Sequence, residues 1–509
     1  MASTPEQAKN YLIVMDEKLK ARNPQIQLWE NYYEGVHRLQ FATSRFRATF
    51  GNLFREFADN WCELIVNASV ERLKVIGFRT EDGTLDADKD ASRIWRDNAM
   101  ASQLKMAFTE AVKLGESYLL VDGENTVEDT DSPLITVEHP SQAFVLCDPA
   151  NPRRRVAGLK EWVDDETGKI YATVYMPDFI YRFEAEEKEE TGDRAYQTSL
   201  LGTPSAEVGR DIEWVARKNG VPFYSENTLK AVPLIPLRNN PTLSQGGRSD
   251  ISVVIPVQDA VNKLVSDMMI ASEFASFAQR WATGLDVPKD PETGRPMANS
   301  DFLASVGRVW VAEHQDAKFG QFEATDLRNY VHAIEMLIQH VAALTRTPPH
   351  YLLGQSGAFP SGDSLTATET GLTAKVEGKW DDFDPDLCQA TNLALRAKKI
   401  DRRAQETIWR DAERRIRSQR IDGAMKLSTL GVPQDAIWGD ELGATPEQID
   451  RWHKMKKEMG LDEHSSLFAV PPPLLEGEKP PTKTNAGPEG NLQQEQAASQ
   501  TARVARIHD

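Results

Sequence analysis

The densest set of chemically capable side chains in this 509-residue chain is WDDFDPD at 380–386. Asp382, Asp384 and Asp386 alternate as they do at the start of a calcium loop. The pattern then breaks: Leu387 occupies the place of the turn glycine and Leu393 that of the bidentate glutamate. Carboxylates at this density could still hold a divalent ion in a nuclease, and Asp381, Asp382, Asp384 and Asp386 define that alternative. The plainer expectation is a solvated turn between helices.

Other chemistry finds less support. The chain has no GxxxxGK[ST] phosphate loop, no GxGxxG after a strand and no GxSxG elbow. His332 and His340 fall on one expected helix, but eight residues apart, too far to share a metal without further ligands. Cys62, Cys147 and Cys388 form no metal-type pair and read as small buried hydrophobes of a reducing compartment. The residues therefore point to a protein that is not an enzyme and needs no cofactor or metal.

Charge by itself decides nothing, since an acidic balance is common among soluble proteins. Residues 396–420 carry ten Lys or Arg against four Asp or Glu, and the interleaved acids suggest a self-paired helix. The whole chain has a net charge of −18. Gripping nucleic acid needs a basic surface, because neutralised phosphates supply most of the affinity. An acidic chain instead suits a surface past which DNA slides. No stretch approaches the roughly 18 apolar residues of a membrane span, and the N-terminus shows no signal-peptide pattern.

The elements that must position these residues come in a distinctive order. Phe50, Phe54, Phe57, Trp61 and Ile65 recur at helical spacing and predict a helix over 53–72. A helix over 91–114 comes after it, with Gly115 as its left-handed stop. From 134 to 183, segments such as LITVEHP, AFVLCDP and KIYATVYM read as strands separated by turn signals, so 1–250 is expected to be α+β with an antiparallel sheet. FEAEEKEETGD at 183–193 reads as a solvated loop or strand edge.

Two helices come next, over about 252–282 and 326–346. Pro256 pins the start of the first, and Thr347-Pro348-Pro349 ends the second. Val257, Val261, Leu264 and Met268 stripe one; Val331, Ile334, Leu337 and Val341 stripe the other. Between them lies a small insert, 284–325. GQSGAFPSGDS at 354–364 is a loop without Lys or Arg. A long helical region over 364–423 and two shorter helices around the turn LGVP complete the fold. Past 468 the Pro-, Gly- and Gln-rich tail is expected to be disordered.

Four strings carry a resemblance to a known family: NYYEGVHRLQFA at 31–42; VPLIPLRNNP with GGRSDISVVIPVQDAVNKLVSDMMI; TPPHYLLGQSGAFPSGDSLTATETGL; and IWRDAERRIRSQRIDGAMKLSTLGVPQDAIWGD. Asn239, Ser249, Asp250, Gln258, Asp259 and Asn262 fall on the family's polar markers. Over about 11–460 the chain resembles the siphovirus-type portal proteins of tailed bacteriophages, as they occur in actinobacterial phages. Gly423 departs from the pattern, where alanine is more usual.

The resemblance implies a portal fold: wing 1–250, first stem helix 251–283, clip 284–325, second stem helix 326–347, tunnel loop region 348–363, long wing and crown helix region 364–423, helical crown 424–468 and tail 469–509. It implies that Gly354, Gln355, Ser356, Gly357, Ala358, Phe359, Pro360, Ser361, Gly362 and Asp363 face a channel, and that the two apolar stripes pack the stem. It further implies a dodecameric ring at one capsid vertex through which double-stranded DNA is packaged and ejected; the alternatives are a metal-dependent nuclease and a non-ring helical scaffold or adaptor of the phage head. Expected partners are the terminase large subunit, head–tail connector and adaptor proteins, scaffold and major capsid protein. The expected location is the virion, after assembly in the host cytoplasm.

Overall fold

A computed structural model describes residues 3–37, 59–81, 87–187, 212–218, 222–243, 246–276, 280–283, 318–321, 326–353, 362–413, 417–444 and 446–459. Two units divide at Trp452 and His453. The second contributes only residues 453–459 to the described set, and every described sheet and buried core belongs to the first. Elements are numbered among the described residues.

The chain opens with α1 (Pro5–Tyr33), set by a capping box in which Thr4 and Gln7 satisfy each other's backbone donors. Ala8, Leu12 and Met15 repeat at helical spacing and are fully buried. They pack on an antiparallel sheet through Leu159, Ala172, Val174 and Phe183. That sheet runs β4 (Ala143–Asp148), β5 (Asn151–Val163), β6 (Ile170–Tyr175), β7 (Phe179–Glu187) and β8 (Ile212–Ala216), with β9 (Tyr224–Glu226) also paired to β7. The acidic run is thus a strand end as far as Glu187, and the rest of it lies outside the described residues.

A second core holds the chain's long elements together. It contains α2 (Trp61–Val70), β1 (Val75–Thr80), α3 (Lys89–Asp97), α4 (Met100–Leu114), β2 (Glu116–Thr126), β3 (Pro133–Glu138) and β10 (Leu234–Arg238). The predicted helix over 91–114 is two helices, because Ala99 adopts the left-handed conformation at φ 50° between them. Gly115 ends α4 at φ +88°, as expected. Its carbonyl lies so close to Gly247 that a Cβ there would collide with the oxygen, so two glycines allow the backbones to touch. The expected helix over 53–72 is described only from residue 59.

The helical pair comes next: α5 (Ile255–Ser276) leads into β11 (Arg280–Thr283), and β12 (Lys318–Gln321) returns into α6 (Arg328–Thr345). The two strands pair antiparallel, with Arg280 opposite Gln321 and Thr283 opposite Lys318. Both helices are shorter than their sequence patterns suggested. A single turn, α7 (Pro349–Leu352), precedes α8 (Gly362–Ala397).

Two sequence expectations fail in α8 and beyond. WDDFDPD is no solvated turn: it lies inside α8, with Pro385 exposed on the helix. The missing donor of Pro385 is tolerated because Phe383 and Leu387 on the same stretch are fully buried and fix the helix in the core. The predicted helical region over 364–423 is also interrupted. Helix α8 stops at Ala397, Lys399 turns left-handed at φ 58°, and β13 (Ala404–Trp409) pairs antiparallel with β1. Thr407, Ile408 and Trp409 favour that sheet edge, and Trp409 stacks on Trp380 at 5.8 Å.

The described residues end with α9 (Arg417–Thr429), α10 (Gln434–Asp440) and α11 (Pro446–Glu458); α9 starts inside the region expected to continue the long helix, and α10 and α11 both come after the turn LGVP. The tail past 468 lies outside the described residues. No helix among the described residues is long and apolar enough to cross a membrane. Cys62 and Cys388 are buried, and burial pushes both thiols up to about 12.

Candidate functional site

The entry to α5 is built on buried polar side chains. Asn239, Ser249, Asp250, Gln258, Asp259 and Asn262 are all buried. Buried polar groups must be paired, and these are. Asn239 Nδ2 donates to Arg248 O at 2.7 Å and to Asp250 Oδ1 at 2.9 Å. Ser249 Oγ donates to Lys113 O at 2.5 Å. Gln258 accepts from the Trp61 amide at 3.1 Å, which ties α5 to the start of α2. Tyr32 donates to Asp259 Oδ1 at 2.6 Å, and Asn262 meets His37 at 2.8 Å, so the end of α1 is held on the same helix.

Lys375 and Lys379 of α8 complete this framework. Lys375 Nζ lies 2.7 Å from Asp250 Oδ2 and Lys379 Nζ 3.1 Å from Oδ1, while Lys379 also donates to Asn239. Burial alone would raise the Asp250 carboxyl, but Lys375, Lys379 and the Asn239 bond outweigh it and hold it well below the usual carboxylate range. Sequence reasoning missed both lysines. The signal was present, since Lys379 interrupts the apolar stripe Leu372, Val376, Phe383 and Leu387.

The acidic segment 380–386 has its own partners. Asp382 Oδ2 accepts from the Asn240 amide at 3.0 Å, and Asp384 Oδ1 from the Thr407 amide at 2.6 Å. Burial pushes the Asp386 carboxyl up to about 7, against the pull of Arg238 and Arg155. Asp381 is exposed. Asp382 and Asp384 thus tie the helix to separate neighbours, while Asp381 faces solvent. The basic stretch behaves alike. Arg396 donates to Leu229 O, Lys398 pairs with Asp131 at 3.0 Å, and Arg402 pairs with Asp88 at 2.8 Å and with Asp90. These cations pair with other segments, so the self-paired helix expected there is not what forms.

The two apolar stripes divide by depth. Val261 and Val341 are fully buried; Val257, Leu264, Met268, Ile334 and Leu337 are half-buried; Val331 is 43% exposed. Met269 (43%), Met336 (51%) and Leu344 (55%) add uncovered apolar surface on the same helices. Of the expected channel loop, residues 354–361 lie outside the described residues. Gly362 and Asp363 open α8. Most of the insert 284–325 is likewise outside, apart from Lys318–Gln321. His332 and His340 are exposed on α6.

An α+β body, a helical pair rooted in a buried polar framework, and one long helix closing that framework make up the described architecture. The chain belongs to the phage portal protein family: the family described as "Phage portal protein, SPP1 Gp6-like" matches residues 14–460. It is similar to the portal protein of Mycobacterium phage D29, at 27% identity over 481 residues, covering 90% of this chain and 91% of the relative. The portal protein of Mycobacterium phage L5 is 27% identical over 420 residues, covering 78% and 79%.

Proposed function

We propose that this chain is the subunit of a dodecameric ring at one capsid vertex, through which double-stranded DNA is packaged and later ejected. The observation that carries this reading is the uncovered apolar surface of α5 and α6. Met269, Val331, Met336 and Leu344 stand more than two-fifths exposed on helices otherwise rooted in the core. Burying such surface against a neighbour stabilises by about 25 cal/mol per Å², and a head-to-tail contact that closes makes a ring.

In that ring α5 and α6 form the stem of a portal fold, residues 1–250 the wing and 284–325 the clip. The clip docks the terminase large subunit and afterwards head–tail connector proteins, while scaffold and major capsid protein surround the ring during assembly in the host cytoplasm. Residues 354–363 line the bore. They lack Lys and Arg, so they neutralise few phosphates and let DNA pass with little drag. ATP hydrolysis belongs to the motor, in keeping with the missing phosphate loop. Phe359→Ala is expected to impair packaging while leaving rings intact.

Negative-stain imaging with particle mass tests the reading. Rings with a central hole, from the chain alone or co-expressed with its scaffold, are expected. Particles of one or two chains under both conditions would overturn it.

A further inference from the structure

The sheet of β1 and β13 is covered along one edge and open along the other. On the β13 side α8 covers the backbone. The Ala404 amide donates to Asn392 Oδ1 at 2.7 Å, and the Thr407 amide to Asp384 Oδ1 at 2.6 Å. Covering an edge in this way keeps it from pairing with another chain. On the β1 side no further strand pairs among the described residues. The Asp88 amide donates to the Phe78 carbonyl at 2.8 Å, which closes that edge at its far end.

The open edge runs along a cavity of about 710 Å³, the size of a ligand pocket. Lys74, Val75, Ile76, Gly77 and Phe78 all line it. Successive residues of a strand point to opposite faces, so a cavity on one face would meet every second residue. Five in a row place this one along the strand's edge. The facing wall belongs to α3 and the start of α4, where Trp95, Met100 and Leu104 supply an apolar floor.

The rim is cationic, in a chain whose net charge is −18. Lys74 and Lys105 are exposed and have no side-chain partner among the described residues. Arg410, at the end of β13, has a buried Nε without a hydrogen-bond partner. Arg96 also borders the cavity, and Glu71 is the one acid among the described lining residues. An apolar floor, a cationic rim and an unpaired strand edge together select one kind of occupant.

We propose that the cleft between β1 and α4 docks an extended acidic segment of another protein, which adds to β1 as a strand. Main-chain bonds to β1 supply affinity, and alternate side chains supply specificity. Apolar residues enter beside Trp95, Met100 and Leu104, while the acids between them meet Lys74, Lys105 and Arg410. A helix would leave the β1 edge unpaired. The cleft lies within one chain and does not rest on the ring reading.

The test exposes the full chain to immobilised peptides of about six residues, the usual strand length. One set alternates aspartate or glutamate with valine, isoleucine, leucine or phenylalanine; a second set has lysine in place of each acid. Binding is expected in the acidic set alone. The best binder, labelled with fluorescein, is then followed by anisotropy. Lys74→Glu and Lys105→Glu are each expected to weaken it about 5-fold, since an exposed attraction becomes a repulsion. Ala101→Trp places a bulky side chain at the mouth from an exposed position and should weaken it at least about 10-fold. Saturating peptide should slow amide hydrogen exchange in residues 74–78, which a contact through side chains alone would not do. No binder in the acidic set, equal binding of the lysine set, or unchanged exchange at 74–78 would overturn the proposal. So would slowing of that exchange by raised chain concentration alone, which would assign the cleft to a second copy.

Discussion

Lys379 Nζ lies 3.1 Å from Asp250 Oδ1, and the side chains are 0% and 3% exposed, so α8 is fastened to the segment entering α5 by a buried ion pair. Removing one partner of such a pair strands the other charge and costs about 3–5 kcal/mol. Asp250→Asn is expected to lose that much unfolding free energy in denaturant titration. Asp250→Asn with Lys379→Met should recover part of it, since the stranded ammonium is then gone. The sign with pH comes from the depressed Asp250 carboxyl. Its contribution is full above the unfolded value near 3.8 and is lost as pH falls below it. The acid limb of the stability curve should therefore flatten in Asp250→Asn.

Asp386 works in the opposite sense. Its carboxyl is raised from 3.8 to about 7, chiefly by burial. The folded chain then holds a proton that the unfolded chain releases. The contribution of this group to stability falls as pH rises from about 3.8 to about 7. Asp386→Asn is expected to keep the packing and remove that decline, so its melting temperature should gain on wild type at pH 7 and match it near pH 4. Equal differences at both pH values would refute the assignment.

Ala99 carries a strain that sequence reading did not reveal. It sits at φ 50° between α3 and α4. A non-glycine residue there costs about 1–2 kcal/mol, while the extra freedom of glycine in the unfolded chain costs about 0.4–1 kcal/mol. Ala99→Gly is therefore expected to stabilise by about 0.5–1 kcal/mol in chemical denaturation, the difference of the two effects.

Legibility in the sequence tracks how local the governing forces are. The antiparallel strands between 134 and 183 were legible because β-branched and aromatic runs end at strong turn signals. The left-handed stop at Gly115 and the start of α5 at Pro256 were legible because each residue type has one strong conformational preference. The break at Ala99 was not, because alanine is the best helix former and only tertiary packing puts it left-handed. Strand β13 was hidden by basic residues on both sides. Their partners Asp88, Asp90 and Asp131 are remote in sequence, so local charge pairing suggested a helix. The polar markers from Asn239 to Asn262 were visible as a set, but not Lys375 and Lys379, which balance them from more than a hundred residues away.

Helix α6 offers a way to separate folding from assembly in one pair of substitutions. Val341 on α6 is fully buried in the core, whereas Val331, ten residues earlier on the same helix, is 43% exposed. Val341→Ala removes buried methyl groups and leaves a cavity, which is expected to cost about 2 kcal/mol of subunit stability. Rings should still form wherever the subunit remains folded. Val331→Glu costs the isolated subunit little, because the carboxylate can stay in water. In the proposed ring that charge would be buried against a neighbouring subunit's helix without a partner, a penalty of several kcal/mol at every repeated contact. Denaturant titration should therefore rank Val341→Ala as the weaker fold, while particle mass should rank Val331→Glu as the failed assembly. Rings of normal mass from Val331→Glu would mean that this face of α6 is not where subunits meet.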